Sequence, residues 1–167
     1  LILAFDTYYF DGKAKTACVQ FANWPDTANF TYHTEMLENI GEYIPGEFYK
    51  RELPCILSLL NKIDYADIEA IIVDGYVFLD DDGKLGLGGH LYSALQGKTP
   101  VIGVAKSNFQ TIEKLKRPLL RGDSRNPLFI TAIGLDVDVA VENIRQMDGQ
   151  FRIPTLLKVM DRMTKEI

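Results

Sequence analysis

Leu1-Ile2-Leu3-Ala4-Phe5-Asp6, then Asp11-Gly12, then Thr16-Ala17-Cys18-Val19-Gln20-Phe21 is the stretch whose reading sets the fold. Five apolar residues closed by a carboxylate form the pattern of a buried strand with an acid at its end. Asp-Gly is a hairpin turn signal, because both residues tolerate positive φ. A third strand is expected at residues 30–35, where Phe30, Tyr32 and Thr34 alternate with smaller or polar positions. Three strands joined by short turns read as an antiparallel meander.

The pattern then changes. Tyr43-Ile44-Pro45-Gly46 reads as a turn, and a helix follows it. Pro54 is best tolerated in the first turn of a helix, which places the start near Glu52 or Leu53. Leu53, Ile56, Leu57, Leu60 and Ile63 then share one face. Ala70-Ile71-Ile72-Val73 is a second buried strand closed by an acid, Asp74. Residues 89–96 form a short helix, 100–105 and 128–133 two more strands, and 138–147 a helix carrying Val141, Ile144 and Met147. A last helix over 154–165 carries Leu156, Met160 and Met163 on one face with Asp161 beside it. A meander followed by βαβ units predicts an α/β fold, a mixed sheet flanked by helices.

The 167 residues are most simply one domain spanning 1–167, with ordinary globular proportions of 47% hydrophobic and 25% charged residues. No apolar run approaches the roughly 20 residues that span a bilayer, and nothing resembles a secretory signal. Cys18 and Cys55 sit among apolar neighbours, the setting of reduced core thiols in a cytoplasmic protein. Since the chain opens directly on strand-like sequence, a short segment before Leu1 is expected. The net charge of −5 argues against non-specific coating of nucleic acid but leaves a nuclease open. A basic strip of Lys106, Lys114, Lys116, Arg117, Arg121 and Arg125 is available to meet phosphates or simply to solvate a surface.

Asp6, Glu52, Asp74 and Asp161 are candidate metal ligands. Strand ends are where ligands bind in α/β sheets, and converging carboxylates repel unless they share a divalent cation. Taken singly, each has an ordinary reading too. Asp6 and Asp74 would cap turns, Glu52 would favour a helix N-terminus, and Asp161 would lie on a solvated helix face. Gly83, Gly86, Gly88 and Gly89 fit neither a dinucleotide fingerprint nor a P-loop, so nucleotide binding is not expected.

The residues around these acids carry a resemblance. Tyr43-Ile44-Pro45 with Arg51-Glu52-Leu53-Pro54, Val73-Asp74-Gly75, Gly86-Leu87-Gly88-Gly89-His90, Pro100 to Ser107 with its Gly103-Val104-Ala105-Lys106, and Arg152-Ile153-Pro154 with Asp161 occur in one order. This order resembles the endonuclease V family from the first strand to the last helix. The resemblance implies a ribonuclease H-like fold. It also implies Mg²⁺-dependent hydrolysis, with Mn²⁺ able to substitute, of a phosphodiester 3′ to a deaminated base, chiefly inosine, in DNA or RNA repair. Carried over by motif, Asp6, Glu52, Asp74 and Asp161 become metal-binding acids and Lys106 the catalytic lysine at the phosphate. Tyr43, Ile44 and Pro45 become a strand-separating wedge, while Gly75, Gly86 and His90 join the substrate site. A monomer acting on nucleic acid and away from membranes is expected.

The chain departs from that family after Asp74-Gly75. Tyr76-Val77-Phe78-Leu79-Asp80 replaces a second glycine and a His-Pro-Arg-like stretch, and Asp80 stands at the usual histidine. Thr131-Ala132-Ile133-Gly134-Leu135 lacks the polar residue that often follows its glycine. A nuclease of the same fold with altered substrate preference, or a catalytically impaired nucleic-acid-binding homologue, therefore stays open beside the first reading.

Overall fold

A computed structural model describes residues 1–38, 40, 48–64 and 67–166. Among these residues, seven strands and four helices follow in chain order: β1 Ile2–Phe10, β2 Lys13–Phe21, β3 Phe30–Leu37, α1 Phe48–Leu60, β4 Ala70–Asp74, α2 Leu87–Ala94, β5 Val101–Ala105, β6 Arg117–Leu119, β7 Leu128–Ile133, α3 Val137–Gln146 and α4 Thr155–Lys165. The strands form one sheet in the order β3-β2-β1-β4-β5-β7-β6. β1 to β3 are the expected meander. β4 pairs parallel to β1, β5 parallel to β4, and β7 and β6 complete the sheet antiparallel. The mixed α/β architecture read from the sequence is the one observed.

Alternation along the central strands builds two cores, one on each face. Ile2, Ala4, Ala70, Ile72, Ile102 and Val104 face α3 and α4 and pack with Ile144, Leu157 and Met160. Leu3, Phe5, Ile71, Val73 and Val101 face the other way, onto Ile56, Leu59 and Leu60 of α1 and Leu91 of α2. At the first turn, Asp11 and Gly12 both hold positive φ, 48° and 73°, which matches the twist of a two-residue hairpin.

The structure differs from the sequence reading most at α1, β1 and β6, and α2 runs two residues earlier than expected, over Leu87–Ala94 in place of 89–96. α1 begins by Phe48, so Glu52 lies in its second turn and Pro54 inside the helix. Pro54 has no N–H to give to the preceding turn, which is why its position suggested a later start. The buried face of α1 then offsets that penalty with Glu52, Cys55, Ile56, Leu59 and Leu60, taking Leu59 where Leu57 was expected. Asp6 is not at a strand end. β1 runs on to Phe10 paired with β2 alone, whereas its parallel partner β4 leaves after Phe5 faces Val73. The short edge strand β6 carries Pro118, which hid it from a pattern search. Among the described residues, no helix is long and apolar enough to cross a membrane.

Candidate active site

Parity along the strands brings three candidate side chains to one place. Asp6 continues the Ile2/Ala4 face of β1, Asp74 the Ala70/Ile72 face of β4, and Lys106 the Ile102/Val104 face just past β5. In register, Asp6 and Asp74 are the next pair after Phe5 and Val73, and Asp74 faces Val104. The core face shared with α4 therefore ends in two carboxylates and an ammonium. Asp161 reaches the same end from α4, and Glu52 reaches it from α1 on the opposite face of the sheet.

Proximity is visible in the electrostatics. Lys106 Nζ lies 4.0 Å from Asp74 Oδ2, and Lys165 Nζ lies 3.2 Å from Asp161 Oδ2. Asp6 and Glu52 are buried. Burial first, then the Asp74 carboxylate, pushes Asp6 up to about 7, against the pull of the Thr7 N–H (2.9 Å) and Lys106. Burial, then Asp6 and Asp74, drives Glu52 well above the ordinary carboxylate range, with Arg51 opposing. Asp74 is also raised by burial, and Asp161 adds to that shift while Lys106 relieves it. These carboxylates repel one another in a partly dry setting, a demand that a bound cation relieves.

Among the described residues, no three Asp, Glu, His or Cys side chains are gathered closely enough to enclose an ion. Mg²⁺ does not need such a cage. It prefers one or two carboxylates and keeps several waters, which suits hard oxygen donors of this kind.

Known proteins bear on this geometry. A model of the endonuclease V family matches residues 1–141. The chain belongs to the endonuclease V family. The endonuclease V of Trichormus variabilis is 26% identical over 172 residues, covering 92% of this chain and 76% of that protein. The solved endonuclease V of Streptomyces avermitilis is 25% identical, with a TM-score of 0.76 over 98% of this chain and 79% of that one. The Ciona intestinalis endonuclease V, crystallised with inosine-containing DNA, shares the fold at 17% identity. Its TM-score is 0.77 over 98% of this chain and 84% of that one.

Other residues carried over from endonuclease V have mixed placements. Gly75 follows the end of β4 at φ +143° and donates to the Val104 carbonyl at 3.1 Å. Gly86 precedes α2, where a Cβ would meet the Tyr76 carbonyl oxygen at 2.6 Å, so close packing accounts for this glycine. His90 stacks on Tyr49 of α1, ring centroids 3.6 Å apart, and burial lowers its pKa. Tyr43, Ile44 and Pro45 lie outside the described residues.

The departures from the endonuclease V pattern also resolve. Val77 is fully buried, and its N–H donates to Thr131 Oγ1 at 2.9 Å, so it belongs to the core and not to a substrate pocket. Asp80 Oδ1 accepts from the N–H groups of Asp82 and Lys84, both at 3.0 Å, and shapes a turn. Tyr76 ties down the loop that follows Lys106. Its hydroxyl donates to the Ser107 carbonyl at 2.7 Å and accepts from the Phe109 N–H at 3.1 Å, spanning the loop after Lys106.

The expected basic strip divides. Arg121 is buried, Arg117 pairs with Asp138 at 3.1 Å, and Lys116 donates to the Phe109 carbonyl at 3.2 Å. Of the strip, Lys106 lines the cavity beside the acids, joined there by Arg152, Lys158 and Arg162. Arg152 was visible only as part of a motif. It braces the site by donating to the carbonyls of Lys106, Pro127 (2.9 Å) and Asn126 (2.8 Å).

Proposed function

We propose that this endonuclease V family chain hydrolyses a phosphodiester 3′ to a deaminated base, inosine above all, in DNA or RNA. In this reading Asp6, Glu52 and Asp74 hold Mg²⁺, or Mn²⁺ in its place, with Asp161 as a further acid. One observation carries it: the buried carboxyls of Asp6 and Glu52 and the half-buried carboxyl of Asp74 meet Lys106 in the middle of the sheet, where β4 and β5 end. A bound Mg²⁺ supplies a water of lowered pKa and charge for the departing 3′ oxygen.

The chain's own residues do the rest. Lys106 places a positive charge on the scissile phosphate, held near the acids by Asp74 and fixed at its backbone by Arg152. Glu52, brought in by the buried face of α1, and Asp6, on β1, would each offer a carboxylate oxygen from a different element. Tyr43, Ile44 and Pro45 act as the wedge at the lesion. The chain works as a monomer in the cytoplasm, a setting that its two free, buried cysteines suit.

Incubation of the protein with single- and double-stranded oligonucleotides containing one inosine, in DNA and in RNA, tests the reading. Cleavage at one position 3′ of inosine that requires Mg²⁺ or Mn²⁺ supports it. Intact inosine substrates at high enzyme concentration overturn it.

Tyr76 favours a second reading, a nuclease with altered substrate preference. Its ring packs 5.9 Å from that of Phe109, at the position where the family pattern has a second glycine. Equal rates on inosine-containing and undamaged strands would favour this alternative.

A further inference from the structure

Phe151 is 65% exposed, yet the loop that carries it is one of the most heavily tied in the molecule. The Arg121 guanidinium, buried beneath this loop, donates to the carbonyls of Met147 (2.6 Å), Gly149 (3.3 Å), Phe151 (2.7 Å) and Arg152 (3.3 Å). Arg152 donates its own guanidinium to three further carbonyls, one of them that of Lys106. Gly122 holds φ +61° directly below, where a Cβ would sit 2.1 Å from the Gln150 carbonyl oxygen. Two arginines spent on backbone carbonyls, and a glycine that lets the chains touch, hold a large apolar ring out in solvent. Stability alone gives no reason to do so.

The surroundings say what the ring meets. Phe151 and Arg152 line a cavity of about 720 Å³ together with Lys106 and Asp161 of the candidate active site. They also line a neighbouring cavity of about 550 Å³, so the ring stands between the two. Lys158 Nζ lies 4.5 Å over the ring, and Arg162 adds a further charge to the wall. An aromatic face flanked by cations in an otherwise acidic chain matches an unpaired base and its phosphates.

We propose that Phe151 is a stacking platform for an unpaired nucleotide next to the cleavage centre, with Lys158 and Arg162 on the adjoining phosphates. The platform rests on the nuclease reading for its role in the reaction, and the ring's ability to bind is measurable apart from it. Because the loop is fixed before binding, stacking costs little ordering entropy.

The test measures fluorescence anisotropy of a labelled single-stranded oligonucleotide and the matching blunt duplex, without divalent metal, on wild type, Phe151→Ala and Phe151→Trp. Phe151 fills no core space, so both variants are expected to melt as wild type does. Phe151→Ala should weaken single-strand binding about ten-fold while Phe151→Trp retains it. Duplex affinity should change less than two-fold. A 2-aminopurine in the strand should be quenched by wild type and not by Phe151→Ala. Wild-type affinity and quenching in Phe151→Ala would overturn the proposal, as would equal losses on single strand and duplex. Cleavage of an inosine strand by wild type with Mg²⁺ is scored separately. Binding and quenching without cleavage would sink the nuclease reading and leave the platform supported. Cleavage with an unaltered Phe151→Ala would remove the platform alone.

Discussion

Two groups of carboxylates in this molecule are built from the same residue types and behave in opposite ways. Asp80 and Asp81 lie on a short hairpin closed by the bridge between Phe78 and Leu85, and backbone donors surround them. Asp81 Oδ1 accepts from the N–H groups of Glu113 (2.9 Å), Lys114 (2.7 Å) and Leu115 (3.3 Å), which hold its pKa below the usual range. Asp6 and Glu52 are buried beside other carboxylates, and their pKa values rise. The hairpin acids have their charge met by the fold itself. The acids at β1, β4 and α1 carry a demand the fold leaves open, and that unmet demand distinguishes a site from a cluster.

Substitutions at the open group should cost activity most. Asp74→Asn is expected to lower the single-turnover cleavage rate of an inosine-containing strand by about a thousand-fold or more, with circular dichroism unchanged. Lys106→Ala removes the cation proposed for the scissile phosphate and should cost about a hundred-fold, with an effect on kcat larger than on KM. A full rate in Asp74→Asn would break the assignment of the acids, whatever else the chain cleaves.

At Asp6 the same comparison predicts a gain in stability alongside the loss of activity. A carboxyl whose folded pKa is about 7 and whose unfolded pKa is near 3.8 binds its proton more tightly in the folded chain. Metal-stripped wild type should therefore be most stable below about pH 4 with respect to this group, and lose that part as pH rises through about 7. Asp6→Asn cannot ionise. At pH 8 without metal it should melt several degrees above wild type, on the order of a few kcal/mol by the size of the shift. Added Mg²⁺ should raise the melting temperature of wild type and do less for the variant. Equal melting curves at pH 8 would show that Asp6 carries no such strain.

The sequence made the acids visible because each closes an apolar run or sits beside one, and because their order matched a family. The sheet was legible for the same reason, since six of its seven strands fall on apolar or alternating segments. Less visible was how far β1 extends. Residues 7–10, Thr7-Tyr8-Tyr9-Phe10, carry no buried alternation of their own, because beyond Asp6 the strand has lost its parallel neighbour. α1 was placed late because Pro54 obeys a positional preference that the buried face of this helix overrides. Arg121 read as part of a basic strip and Arg152 only as part of a motif, and the return of the 147–153 loop shows that their guanidiniums serve backbone carbonyls. Long-range carbonyl contacts leave no periodicity in sequence, whereas strand parity does.

The smallest effect belongs to the satisfied group. Asp81→Asn keeps the shape but gives three N–H donors a neutral acceptor in place of a charged one, so it should lower the melting temperature slightly at neutral pH. The sign of the pH dependence is the reverse of that at Asp6. A depressed folded pKa contributes stability that is present above the unfolded pKa and lost as pH falls through the folded value. Wild type and Asp81→Asn should therefore differ at pH 7 and converge only once pH has fallen through the lowered folded value, whereas metal-stripped wild type and Asp6→Asn differ at pH 8 and converge near pH 4. Cleavage should barely change in Asp81→Asn, since its carboxylate ties the hairpin to residues 113–115 and not to the acid group. A loss of activity in that variant as large as in Asp74→Asn would place both carboxylate groups in one site and dissolve the contrast between them.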